Sequence, residues 1–180
     1  MSESVGPRVP LVGDDVAPPM VREIYDATRE AGSAVPDLYR ALANSPRVLQ
    51  AWTNMAWPLR GVRSTPRDLR ELMILRIAQL TSSDYEWRHH VPMAKRAGVR
   101  ETQISELHQW SSSNEFSAEE RAVIAFGEAV VDRDTPDEAA VAGLAASMEP
   151  ASVVDLTVTA AWYLAVSRVI AVLGPFPDDD

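Results

Sequence analysis

Four side chains near the middle of the chain have the chemistry to move protons: Glu71, Ser83, Glu86 and His90. A carboxylate beside an imidazole is a general acid–base pair, because each group draws the other's protonation toward neutrality. Glu86 and His90 are four residues apart. On a helix they share one side and lie within reach of each other. Ser83 opens the same segment with a hydroxyl, and Glu71 supplies a second carboxylate from the segment before it.

The helices that would carry these residues aim them inward. The pattern predicts helices over 66–81 and 84–97. At about 100° per residue, Trp87, Val91, Ala94 and Ala97 form the apolar arc of the second. His90 falls inside that arc and Glu86 on its edge, while Arg88, His89, Lys95 and Arg96 face solvent. On the first helix Glu71 lies among Ile74, Leu75 and Ala78. Two glutamates and a histidine directed into a core are costly unless they are paired or used. One alternative is a purely structural network in which Glu71 bonds the backbone, Arg67 or Arg70. Tyr85 and Trp87 bracket Glu86 and are the aromatic residues best placed to line a pocket. Trp52, Trp57, Trp162 and Tyr163 are better read as core. His108, near the end of a short helix, suits a helix-terminus role.

Thr65 to Leu107, and above all Glu71 to Gly98 (ELMILRIAQLTSSDYEWRHHVPMAKRAG), resembles the carboxymuconolactone decarboxylase / alkylhydroperoxidase D-like (AhpD-like) family. Glu71 and His90 match the family's outer glutamate and histidine. The two cysteines of its peroxidase branch fall on Ser83 and Glu86. Ser167-Arg168 resembles a late Asn-Arg pair of the family. The resemblance implies a small all-helical domain forming trimers or hexamers, in which neighbouring subunits complete the active-site wall. It also implies a cofactor-free lyase or isomerase that uses Glu/His acid–base chemistry on a small unsaturated carboxylic acid or lactone. In that reading His90 delivers the proton, Glu86 orients it, Glu71 is a second relay or positioning group, and Ser83, Tyr85 and Trp87 contact substrate. Thiol peroxidase chemistry is not expected, because a serine hydroxyl neither ionises near neutral pH nor closes a disulfide.

Composition narrows the classes further. The 180 residues suit one domain, and 46% of them are hydrophobic, as in ordinary globular chains. There are no cysteines, so Cys-type metal and iron–sulfur sites are out. The net charge of −9 repels phosphate backbones and argues against nucleic-acid binding. The first residues lack an apolar signal region, so a cytoplasmic protein is expected. Val153–Leu173 has nearly the apolar length of a membrane span, about 20 residues. Asp155 and Arg168 within it favour a central or subunit-interface helix instead.

Residues 1–18, punctuated by Pro7, Pro10 and Pro18, read as an extended arm, 19–174 as one helical domain, and 175–180 as an acidic tail. The remaining helices are expected at 19–31, 36–44, 46–57, 101–110, 117–133, 136–147 and 150–173. Prolines open several of them and Gly32, Gly98 and Gly174 close three. Ser117-Ala-Glu-Glu120 reads as a capping box. No stretch alternates as a strand, so the fold class is all-α. No metal or cofactor is expected. Two competing readings remain: a divalent ion held by Glu71, Glu86 and His90, and a non-catalytic binding or assembly protein on the same fold.

Overall fold

A computed structural model describes residues 6–61, 64–132 and 137–176. Among them are nine α-helices and one 3-10 turn, and no strand. The helices are α1 (Pro19–Glu30), α2 (Asp37–Leu42), α3 (Pro46–Gly61), α4 (Arg67–Leu80), α5 (Asp84–Ala97), α6 (Glu101–Glu106), α7 (Ala118–Asp132), α8 (Glu138–Ser147) and α9 (Pro150–Leu173). The turn, Leu107–Gln109, follows α6 directly. The fold is all-α, as the sequence pattern predicts. The helix ends expected at 133 and 136 lie outside the described residues, as does the acidic tail beyond Phe176.

Two compact units share the chain, one from Met1–Gly61 with Val169–Asp180 and the other from Val62–Arg168. In the first, α3 packs against α1 and α2. Val21, Ile24 and Tyr25 of α1, Leu38 and Tyr39 of α2, and Leu49 and Ala56 of α3 are buried. The N-terminal arm is tied down by specific bonds. The Arg8 N–H donates to Leu173 O at 2.9 Å, the Tyr25 hydroxyl to Val12 O at 3.0 Å, and the Asn44 amide to Pro10 O at 2.7 Å. Helix α3 runs four residues beyond its expected end and through Pro58. Pro58 is exposed, so its ring and missing donor fall on the solvent side, where a helix tolerates them better than in its packed face.

The second unit is built around α4, whose residues from Leu69 to Leu75 are all buried. One side of α4 supplies Leu69, Met73 and Ile77 to a cluster with Val123 and Phe126 of α7, Leu144 of α8, and Leu156, Ala160 and Tyr163 of α9. The other side supplies Leu72 and Leu75 to a cluster with Ala94, Val99, Ile104, Leu107, Phe116 and Ile124. A helix enclosed this way reads as apolar around most of its circumference. Any polar residue on it is therefore drawn inside. Glu71 is 0% exposed.

Helix α9 is long and apolar enough to cross a membrane by length and composition alone. Here Leu156, Ala160 and Tyr163 lie in the core cluster with α4 and α7, which explains its apolar sequence in the way expected for a central helix.

The predicted caps form. Ser117 N–H donates to Glu120 Oε2 at 2.7 Å, and Glu120 N–H donates to Ser117 Oγ at 3.2 Å. Gly98 closes α5 with φ of 107°, a left-handed conformation that glycine adopts without steric cost. Gly127 matters for packing rather than for turning the chain. A Cβ there would lie 2.7 Å from Cγ of Met73, so its lack of a side chain lets α7 approach α4 closely.

Candidate functional site

Helices α4 and α5 are joined by the short turn Thr81–Ser83. That turn folds α5 back along α4, with Ser82 at φ of 52°. The hairpin brings residues 19 apart in sequence into contact. His90 Nδ1 lies 2.7 Å from Glu71 Oε2, and His90 Nε2 lies 3.4 Å from Glu86 Oε2. All three side chains are buried. Both nitrogens of one imidazole thus face carboxylates, one from each helix.

Arg67 completes the chain of charges. Its Nε donates to Glu71 Oε1 at 2.6 Å, and its Nη2 pairs with the same oxygen. Nη2 also lies 3.9 Å from the Met93 sulfur. Glu71 therefore uses one oxygen for Arg67 and the other for His90. Burial alone would push the Glu71 carboxyl up. The His90 hydrogen bond and charge and the Arg67 guanidinium outweigh that, and the group sits below the ordinary glutamate value. With Glu71 ionised, His90 Nδ1–H donates to it, which leaves Nε2 turned toward Glu86.

Tyr163, from α9, packs against His90. The two rings stand edge to face, with centroids 4.8 Å apart and planes at 89°. Arg70, beside Glu71 on α4, is also buried. Burial and the like charge of Arg67 pull its guanidinium below the usual arginine value, against the opposing influence of Glu71, Tyr163 and Asp155.

The structure brings together Glu71, Glu86 and His90. Ser83 and Trp87 line a different feature, a cleft of about 410 Å³ shared with Arg76, Gln79, Asp84 and His108. Trp87 also packs on the cluster around Leu72 and Leu75. Tyr85 is buried, and its ring stacks on His89 with centroids 4.1 Å apart. His89 is thus half-buried rather than fully on the solvent side, and its Nδ1 lies 2.9 Å from Tyr85 O. The i,i+4 spacing that binds it to Tyr85 outweighs its place on the helical wheel. His108 lies just past α6, with Nδ1 3.0 Å from Ser105 O, as expected of a helix-terminal histidine.

Sequence pattern alone offers Arg67 only as a structural partner and Tyr163 only as core. Position 67 carries a signal that could place it at the site, since it is i−4 from Glu71 and on the same side of α4. Nothing local marks Tyr163.

The arrangement suits proton transfer better than metal binding. Each His90 nitrogen already faces a carboxylate, and Glu71 is committed to a guanidinium. Among the described residues no group of three or more histidine, aspartate or glutamate side chains is disposed to hold a metal ion.

A family model for the carboxymuconolactone decarboxylase family matches residues 46–129. No curated protein sequence matches the chain significantly. Solved structures do. An AhpD-core, peroxidase-related protein from Ralstonia eutropha JMP134 superposes with a TM-score of 0.82 at 17% identity, covering 97% of this chain and 94% of that one. A peroxidase-related protein from Silicibacter sp. TM1040 gives 0.81 at 16%, covering 99% and 94%. A variant of the debrominase Bmp8 in complex with 2,3,4-tribromopyrrole gives 0.77 at 16%, covering 98% and 93%. At these identities the likeness is one of fold.

Proposed function

From the match of residues 46–129 to the carboxymuconolactone decarboxylase family model, we propose that this chain is a cofactor-free lyase or isomerase acting on a small unsaturated carboxylic acid or lactone. The observation that carries this reading is the buried relay Arg67–Glu71–His90–Glu86. Thiol chemistry at this site has no thiol to use, because the chain contains no cysteine.

The reaction would proceed by proton transfer alone. In a carboxylated unsaturated lactone, loss of CO2 leaves an electron pair that the lactone carbonyl accepts as an enolate. Protonation at carbon then completes the change. His90 Nε2 delivers that proton, while Glu71 holds Nδ1 and fixes the ring. Glu86, facing Nε2, exchanges the proton with His90 between turnovers. An isomerase would use the same groups to remove a proton from one carbon and return it to another.

Self-association belongs to the same proposal. Val154 and Val172 on α9 and Val48 and Met55 on α3 are large exposed apolar side chains, and burying them between copies is favourable. Light scattering coupled to size exclusion would read a trimer or hexamer, and a monomer would reject this part.

The activity is tested by incubating metal-free protein with a carboxymuconolactone-type substrate and following CO2 release and proton incorporation from D2O. His90→Ala should lower turnover by about 10² or more. Turnover unchanged by His90→Ala would remove the relay from the chemistry.

A further inference from the structure

Two hollows meet at Trp87, and none of Glu71, Glu86 and His90 lines either of them. The first is the cleft of about 410 Å³ that Ser83, Asp84 and Trp87 share with Arg76, Gln79 and His108. The second, of about 470 Å³, also has Gln79 and Trp87 in its wall and continues along Val91 and Ile104. Both volumes are of the size that holds a small molecule. Trp87 is half-buried. It packs on the cluster around Leu72 and Leu75 and keeps part of its indole open to the two hollows.

The polar groups of the first hollow differ in what they can still bind. Arg76 is occupied. Its Nε and Nη2 each lie 2.6 Å from Glu128 Oε1, and its Nη1 donates to Gln79 Oε1 at 2.9 Å. Glu128 thus offsets its charge in place. Asp84 is exposed, and among the described residues no side chain pairs with its carboxylate. Ser83 is 8% exposed, and its hydroxyl has no hydrogen-bond partner, a costly state for a buried polar group. An N-cap serine commonly turns its hydroxyl to the helix, but no such bond forms here. His108 Nδ1 faces Ser105 O at 3.0 Å, so in the neutral ring the lone pair is on Nε2.

What remains open is a carboxylate, a hydroxyl and a ring nitrogen, beside an aromatic surface. Asp84 and Trp87 are three residues apart on α5 and share one side of it. A carboxylate next to an indole recognises a cation, by its charge and by the attraction of the ring face. In the second hollow Val91 and Ile104 offer an apolar floor, and the charge of Lys95 is already paired with Glu101 at 2.6 Å. The net charge of −9 draws cations toward the chain from a distance.

We propose that the two hollows beside Trp87 form one binding site, separate from the His90 relay, for a small organic cation with an apolar body. The ammonium or amidinium head sits between Asp84 and Ser83, and the body lies along Trp87 toward Val91 and Ile104. Failure of the acid–base mechanism would leave this site untouched.

The test is an NMR titration of the full chain with phenethylamine and its uncharged counterpart phenethyl alcohol, following the tryptophan indole signals. Trp87→Phe assigns the signal of interest. Phenethylamine should shift the Trp87 signal at lower concentration than the alcohol does. Asp84→Asn and Ser83→Ala should each weaken the amine by about fivefold. Added salt should weaken it in the wild type more than in Asp84→Asn. Without ligand, Ser83→Ala should melt at or above the wild-type temperature, because it sheds a buried hydroxyl that makes no bond, so its weaker binding would not reflect a damaged fold. His90→Gln should bind the amine as the wild type does. Any of four results would overturn the proposal: a Trp87 signal that does not move, equal binding of the alcohol, undiminished binding by both Asp84→Asn and Ser83→Ala, or loss of binding in His90→Gln, which would put the amine in the relay instead.

Discussion

His90 Nδ1 lies 2.7 Å from Glu71 Oε2, and the two residues come from different helices. This contact is at once a tertiary link between α4 and α5 and the element that fixes the imidazole. Glu71→Gln keeps the volume but removes the charge that satisfies both Arg67 and His90. Removing one member of a buried pair is destabilising, and Arg67, about a third exposed, recovers part of the loss in water. The expected cost is about 2–3 kcal/mol, read from urea unfolding midpoints at neutral pH. An effect near zero would show that the network contributes little to folding.

The acid limb of stability should carry the mark of the same residue. Glu71 is lowered from the ordinary value of 4.5. A carboxyl favoured by the fold as its ion contributes stability that is fully present above that ordinary value. The contribution is lost as pH falls through the lowered folded value. Asp14, Glu101 and Glu115 are lowered too, but their pairs are solvent-screened and weigh less. Unfolding midpoints should therefore hold down to the carboxylate range and then drop. Glu71→Gln should flatten the drop, and an unchanged acid limb in that variant would assign it to other groups.

Glu86 and Glu71 should be separable by kinetics. In the proposed mechanism Glu71 orients His90, and Glu86 faces the nitrogen, Nε2, that would exchange the proton. Glu86→Gln should lower kcat by about 10² while leaving the fold intact, with the loss concentrated in proton exchange with D2O. Equal effects on KM and none on kcat would place Glu86 in binding instead.

Close packing between α4 and α7 makes a further prediction. Gly127→Ala puts a methyl 2.7 Å from Cγ of Met73, a residue that is 0% exposed. Met73 is flexible and can yield in part, so the expected destabilisation is about 1–2 kcal/mol. Thermal melting would show it, and an unshifted melting temperature would mean that the core repacks freely there.

The site is half legible in the sequence. Periodicity alone turns Glu71 and His90 inward, because the residues around each of them are apolar at helical spacing. The limits of α5 and α9 follow from local chemistry: Gly98 ends the first, and Pro150 and Gly174 bracket the second. Local patterns do not rank contacts between helices. They pair His90 with Glu86, its neighbour on α5, whereas the folded chain gives the shorter contact to Glu71 on α4. They also give no sign that Tyr163 meets His90. A helix apolar all round has no face that periodicity can single out, and only packing selects one.

The beginning of α5 has one more consequence. Ser83-Asp84-Tyr85-Glu86 has the residues of a capping box, yet Ser83 makes no side-chain cap and Glu86 faces His90. The helix start lacks this local fastening while one of its first residues, Glu86, pairs with His90. Amide exchange would therefore find the opening turn of α5 loosening before the rest of the helix. Substitutions chosen only to tighten that turn would draw a carboxylate away from His90, so under the proposed mechanism hardiness and turnover would be selected in opposite directions at this place.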